Sequence, residues 1–153
     1  MAGLSLAEFA DKLNEIMPVI MREFARRHAD DALYKGKITF PQFFALDFLS
    51  RETELKMTDL ARLMNVTTAA TTGIVDRLVK SGYILRVSDP SDRRVIKIKI
   101  TSKGAELVDK IHQQRRKMSV DIFSKISDKD RQDYLRILTQ VKESLQKEKE
   151  GKV

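Results

Sequence analysis

The chain contains no cysteine, which excludes disulfides, thiolate metal sites and thiol-based redox sensing. Its only histidines are His28 and His112. A metal sensor would need them brought together with carboxylates such as Glu23 or Asp109 from distant parts of the chain. No run of about 18 consecutive apolar residues exists, so a membrane-spanning helix is excluded. The opening residues MAGLSLAEFADKL lack the basic start and continuous apolar core of a secretory leader, and the expected compartment is the cytoplasm. Glycine-rich phosphate loops and nucleophile elbows are also missing. The acidic pair Asp30-Asp31 beside Arg26 and Arg27 reads as solvated ion pairs. An enzyme is not expected, and no cofactor or metal is implied.

What is present is charge, unevenly placed. The 153 residues are 42% hydrophobic and 33% charged, enough for one domain with a core and helical extensions. Lysine and arginine total 29 against 22 acidic residues. Between Lys56 and Lys117 there are 14 basic and 6 acidic residues, and the rest of the chain holds 15 and 16. A generally basic solvated surface would spread the excess. Concentrated in one segment, it suits a face turned toward a polyanion.

The periodicity predicts six helices and one hairpin. Ser5 and Glu8 form a capping box before a first helix over 5–34, whose Leu6, Phe9, Leu13, Ile16, Ile20 and Phe24 recur at steps of three and four. Gly36 is its expected stop. A second box, Thr39 and Gln42, opens a helix carrying Phe43, Phe44, Phe48 and Leu49. Thr58 is expected to cap a third helix and Thr67 a fourth, with Asn65 and Val66 as the turn between them. Gly82 ends the fourth helix, and strands are expected over 83–87 and 93–101. In the second strand Ile96, Ile98 and Ile100 share one face and Val95, Lys97 and Lys99 the other. Leu107, Ile111, Met118, Ile122 and Ile126 mark a fifth helix. Tyr134, Leu138, Val141 and Leu145 mark a sixth capped by Ser127 or Asp128, with a fraying tail QKEKEGKV.

The segment from Thr58 to Gly104 carries the functional signal. A short helix, a turn, a second helix with a small polar outer face and a hairpin tipped with arginines suit double-stranded DNA. The helix fits a major groove and the tip the adjacent minor groove. On the fourth helix Ala70, Ile74, Leu78 and Val75 are expected inward, and Thr68, Ala69, Thr71, Thr72, Asp76 and Arg77 outward. Threonine is a poor helix former, so three of them with two alanines suit close approach to base edges and thymine methyls. Caps or plain surface hydroxyls are the other reading. Arg77 and Arg86 read as phosphate contacts, and Lys97 and Lys99 as further contacts or a solvated strand face.

These residues resemble the MarR family of bacterial winged-helix transcription regulators. The runs VTTAATTGIVDRLVKSGYILR and DPSDRRVIKIKITSKG carry the resemblance. Asp92-Arg93-Arg94 and then Ile100-Thr101-Ser102-Lys103-Gly104 match the family's wing pattern, with Ile100 where leucine is usual. Val75-Asp76-Arg77-Leu78 and Lys80-Ser81-Gly82 match its recognition-helix signature. Gly73 stands where many members carry a basic or polar side chain.

The resemblance covers the whole chain. It implies a mainly α fold with a small β wing: a winged helix-turn-helix over 38–104, flanked by dimerisation helices over 1–36 and 105–148. It further implies a homodimer on a pseudo-palindromic operator, repressing until a small aromatic or amphipathic effector binds. Arg94 would enter the minor groove, oriented by an ion pair with Asp92, and Arg93 would contact phosphate or be the inserted residue itself. The narrow stripes of Leu6, Phe9 and Leu13 and of Leu138, Val141 and Leu145 suit dimerisation, although they would also serve to cover the core. Phe44, Phe48 and His112 are the candidate effector pocket, with plain core as the other reading of the phenylalanines. A winged helix used as a protein-interaction module is the rival function; charge segregation and tip arginines disfavour it.

Overall fold

Capping chemistry sets most element boundaries in this computed structural model, which describes residues 3–27 and 37–150. Helix α1 spans Leu6–Arg27. At its start the Ser5 N–H donates to the Glu8 carboxylate at 2.9 Å and the Glu8 N–H donates to Ser5 Oγ at 3.3 Å. The Ser5 hydroxyl also donates to that carboxylate at 2.7 Å, and this bond, with the one from the Ser5 N–H, holds the Glu8 carboxyl below its usual range. The expected end of this helix near residue 34, its stop at Gly36, and His28 lie outside the described residues. Helix α2 spans Phe40–Glu52 and opens with the expected Thr39–Gln42 box.

A short strand, β1 (Glu54–Lys56), then leads directly into α3 (Met57–Met64). Neither was expected in this form. Three residues are too few for a period-two pattern to register, and α3 begins at Met57 without a side-chain cap, so Thr58 is its second residue. Asn65 takes the left-handed conformation at φ 53° and closes α3. Thr67 caps α4 (Thr68–Lys80), its hydroxyl oxygen accepting the Ala70 N–H at 3.1 Å. Gly82 follows at φ 74°, where a side chain would be strained. Strands β2 (Ile84–Ser88) and β3 (Ile96–Ile100) pair antiparallel, and β1 adds on the other side of β3 in the order β1-β3-β2. The sheet therefore has three strands, not the two of the expected wing.

Helix α5 spans Ser102–Phe123 and α6 Asp128–Glu150. Ser127 caps α6 by accepting the Asp130 N–H at 3.1 Å. The fraying expected from Gln146 is not seen as far as Glu150, because lysine, glutamate and glutamine are good helix formers. The chain divides into two compact units, Met1–Gln114 and Arg115–Val153. In the first, Phe43, Leu46, Leu49, Leu60, Val75, Leu78, Ile84, Ile98, Val108 and Ile111 form one buried cluster drawn from α2, α3, α4, the sheet and the start of α5. In the second, Phe123 and Tyr134 stack at 5.3 Å, and an open cavity of about 620 Å³ is lined by them with Val120, Arg131 and Leu135 among others. Among the described residues no helix is long and apolar enough to cross a membrane.

Candidate nucleic-acid interface

Helix α4 turns one arc into the core and leaves the other open. Thr71, Val75 and Leu78 are its buried residues. Thr71 is 0% exposed and donates its hydroxyl to the Thr67 carbonyl at 3.0 Å, so it is not an outward-facing reader. Ala70, expected inward, is exposed. The cause is helical phase: steps of four and three from 71 through 75 to 78 keep one face, and residue 70 lies about 100° from 71. Thr68, Ala69, Thr72, Asp76 and Arg77 are exposed, as expected. The Thr72 hydroxyl donates to the Thr68 carbonyl at 2.9 Å, which leaves its methyl group and oxygen lone pairs for a partner.

Gly73 lies between these residues, and a Cβ built there meets nothing within 4 Å. Packing within the chain therefore does not require glycine. Gly73→Ala is expected to stabilise the fold by about 0.5–1 kcal/mol, read as a raised midpoint in urea unfolding.

Asp76 and Arg86 form an ion pair at 2.5 Å across α4 and β2, with side chains 56% and 38% exposed. Arg86, expected on phosphate, is thus engaged with the C-terminal half of α4. Ten residues and a turn separate the two, so no local pattern in the sequence pairs them.

The tip loop is closed from inside. The Asp89 N–H donates to the Val95 carbonyl at 2.9 Å, and the Val95 N–H to the Asp92 carbonyl at 2.9 Å. The Asp92 carboxylate accepts the Arg94 backbone N–H at 3.0 Å. The expected Asp92–Arg94 ion pair is not formed: the short aspartate side chain is taken up by the local turn two residues on. Arg93 and Arg94 are exposed, and among the described residues neither guanidinium has an ion-pair partner within 4.0 Å. Lys97 donates to Asp89, and with the Ser91 N–H it depresses that carboxyl from 3.8 to about 2. A depressed carboxyl stabilises the folded wing above its ordinary value, and this contribution is lost as pH falls from about 4 through about 2.

Two hydrophobic stripes and the candidate pocket complete the picture. Leu6, Phe9 and Leu13 on α1 and Leu138, Val141 and Leu145 on α6 are all exposed, between 43% and 83%. Phe48 packs against the core and Phe44 is exposed. The His112 ring meets Asp47 Oδ1 at 2.6 Å and packs edge-to-face on Phe43, with ring centroids 5.7 Å apart. None of Phe44, Phe48 and His112 lines the cavity of the second unit.

The MarR family model matches residues 38–96, the span from the start of α2 into β3. Over this span the chain carries the MarR-family segment. It is 26% identical to an uncharacterised HTH-type transcriptional regulator of Bacillus subtilis, YsmB, over 82% of each chain. The crystal structure of RV1404 from Mycobacterium tuberculosis superposes with a TM-score of 0.78 at 29% identity, covering 94% of this chain and 96% of that one. A mutant MarR of Escherichia coli, crystallised in complex with operator DNA, shares the fold at a TM-score of 0.64 and 22% identity, over 90% and 99% of the two chains. The family match and these relatives support a helix-turn-helix transcriptional regulator.

Proposed function

We propose that the protein is a cytoplasmic, homodimeric, sequence-specific double-stranded DNA-binding repressor. It holds a pseudo-palindromic operator and leaves it when a small organic ligand binds. The observation that carries the DNA reading is the exposed Arg93 and Arg94 at the wing tip, without an ion-pair partner among the described residues, together with a helix whose outer face is small and polar. Small residues let the α4 axis approach base edges in a major groove, and free guanidinium groups suit the narrow, negative minor groove next to it. The operator complex of the Escherichia coli MarR mutant, on the same fold, supports a DNA-binding role.

Dimerisation rests on the two stripes. On α1 and on α6, three large apolar side chains each face water, the kind of stripe another protein would cover. A two-fold assembly would present two recognition helices to two half-sites. Release by a ligand rests on Phe44 and Phe48 of α2 and on His112, whose ring meets Asp47 of that helix; they offer aromatic surface and one polar ring to an aromatic carboxylate. A ligand acts only through its differential affinity for the DNA-competent and other spacings of the two helices.

Fluorescence anisotropy on a duplex selected from a random pool tests the reading. Wild type should prefer it over a scrambled duplex, with steep salt dependence. Arg94→Ala should weaken binding at low salt and lower the salt slope by about one. Equal binding to both duplexes would leave a protein-interaction module as the better account. Titration of the complex with aromatic carboxylates should release DNA; failure of every such ligand would leave a constitutive DNA-binding protein.

A further inference from the structure

Lys97 sits on β3, the central strand, directly opposite Lys56 on β1 and Val87 on β2. Its side chain does not run out into solvent. It leans diagonally to both neighbouring strands, with Nζ 2.9 Å from Glu54 Oε1 and 2.9 Å from Asp89 Oδ2. Diagonal positions in an antiparallel pair lie within reach of a long side chain, and turning toward Glu54 also takes the ammonium away from Lys56. The lysine is 23% exposed and Asp89 18%, both well below an ordinary surface pair. Contact with two carboxylates holds Lys97 firmly protonated.

Asp89 is where the wing loop leaves β2. Its second carboxylate oxygen accepts the Ser91 N–H at 2.8 Å, and its own N–H closes the loop onto Val95. One carboxylate is thus tied to the sheet through Lys97 and to the tip loop through Ser91. Glu54, on the strand that the sequence pattern did not announce, holds the lysine from the other side. Sheet and tip form one connected polar path: Glu54, Lys97, Asp89, Ser91.

We propose that Lys97 is the positioning residue of the wing, fixing the direction in which the loop bearing Arg93 and Arg94 leaves the sheet, and that it is not itself a DNA contact. The inference rests on the proposed use of those arginines on DNA. Its physical basis is preorganisation: a loop already held in its bound direction loses less freedom on binding. A lysine whose charge is matched by two carboxylates has little left to offer a phosphate.

Two measurements on Lys97→Met, Lys97→Arg, Asp89→Asn and the Lys97→Met/Asp89→Asn double variant test this. The first is amide hydrogen exchange at Ser91 and Arg94 in the protein without DNA. The second is operator affinity as a function of salt. Lys97→Met should speed exchange at both amides and weaken operator binding about five- to tenfold, with the salt slope unchanged. Lys97→Arg should restore most of both. Asp89→Asn should act in the same direction, and the double variant should be no worse than the more damaging single one, since the residues act as a unit. A salt slope reduced by about one with unchanged amide exchange would make Lys97 a phosphate contact and overturn the proposal. Unchanged affinity with unchanged exchange would reduce the cluster to an idle surface network and overturn it equally. If wild type shows no duplex preference, the DNA reading fails, and the exchange measurement still decides whether Lys97 holds the wing.

Discussion

Gly104→Ala is expected to lower the stability of the winged-helix unit by about 2–4 kcal/mol, seen as a fall in the urea midpoint without a change in slope. Replacing a helical glycine by alanine usually stabilises by about 1 kcal/mol, so the sign here is the test. Gly104 lies in the first turn of α5, where a Cβ would stand 2.2 Å from the Tyr83 carbonyl oxygen and 2.9 Å from the Ile100 side chain. The closer atom is backbone and cannot rotate away. That same carbonyl accepts the Thr101 N–H at 3.0 Å, so moving it breaks the junction between the end of β3 and the turn after α4. Around it Thr101 Oγ1 donates to the Gly82 carbonyl and Lys103 to the Ser81 carbonyl, both at 2.8 Å. The start of α5 is thereby fastened to the turn that ends α4. Against a total stability of about 5–15 kcal/mol for a domain, the loss is severe. A raised midpoint for Gly104→Ala, like the one expected for Gly73→Ala, would contradict the close approach.

Leu138→Asp is expected to abolish dimerisation and, with it, tight operator binding. Leu138 lies on the exposed stripe of α6 with Val141 and Leu145. Burying a leucine against a partner contributes about 1.5–3 kcal/mol, and a carboxylate in its place adds the cost of desolvating a charge without a partner. Light scattering should then give the monomer mass of 17.6 kDa at micromolar concentration, where wild type gives twice that. Operator affinity should fall about 100-fold or more, since the second half-site is no longer joined to the first. Gln140→Asp is the control: it adds the same charge two residues away, off the stripe, and should leave both properties intact. A wild type that is monomeric, or a Leu138→Asp dimer, would refute the role assigned to this face.

Much of this protein is legible in its residues because the signals are local. Capping boxes at Ser5 and Thr39, the cap at Thr67 and the stop at Gly82 depend on groups three or four positions apart, and each appears where the pattern places it. The wing strand is read from the alternation of isoleucine and lysine, and the family resemblance from motifs in register with one another. Tertiary structure decided whatever depends on groups distant in sequence or on fine helical phase. The inward turn of Thr71 follows from which arc of α4 meets the core, and threonine is small and ambivalent enough to fit either side. Strand β1 exists because β3 has an open edge to pair with, since three residues have no period of their own. Arg86 finds Asp76, His112 finds Asp47, and Lys97 finds Glu54 across 43 residues. A charged residue in a sequence shows only that it needs a partner or water; which of the two it gets is settled by the packing of strands and helices around it.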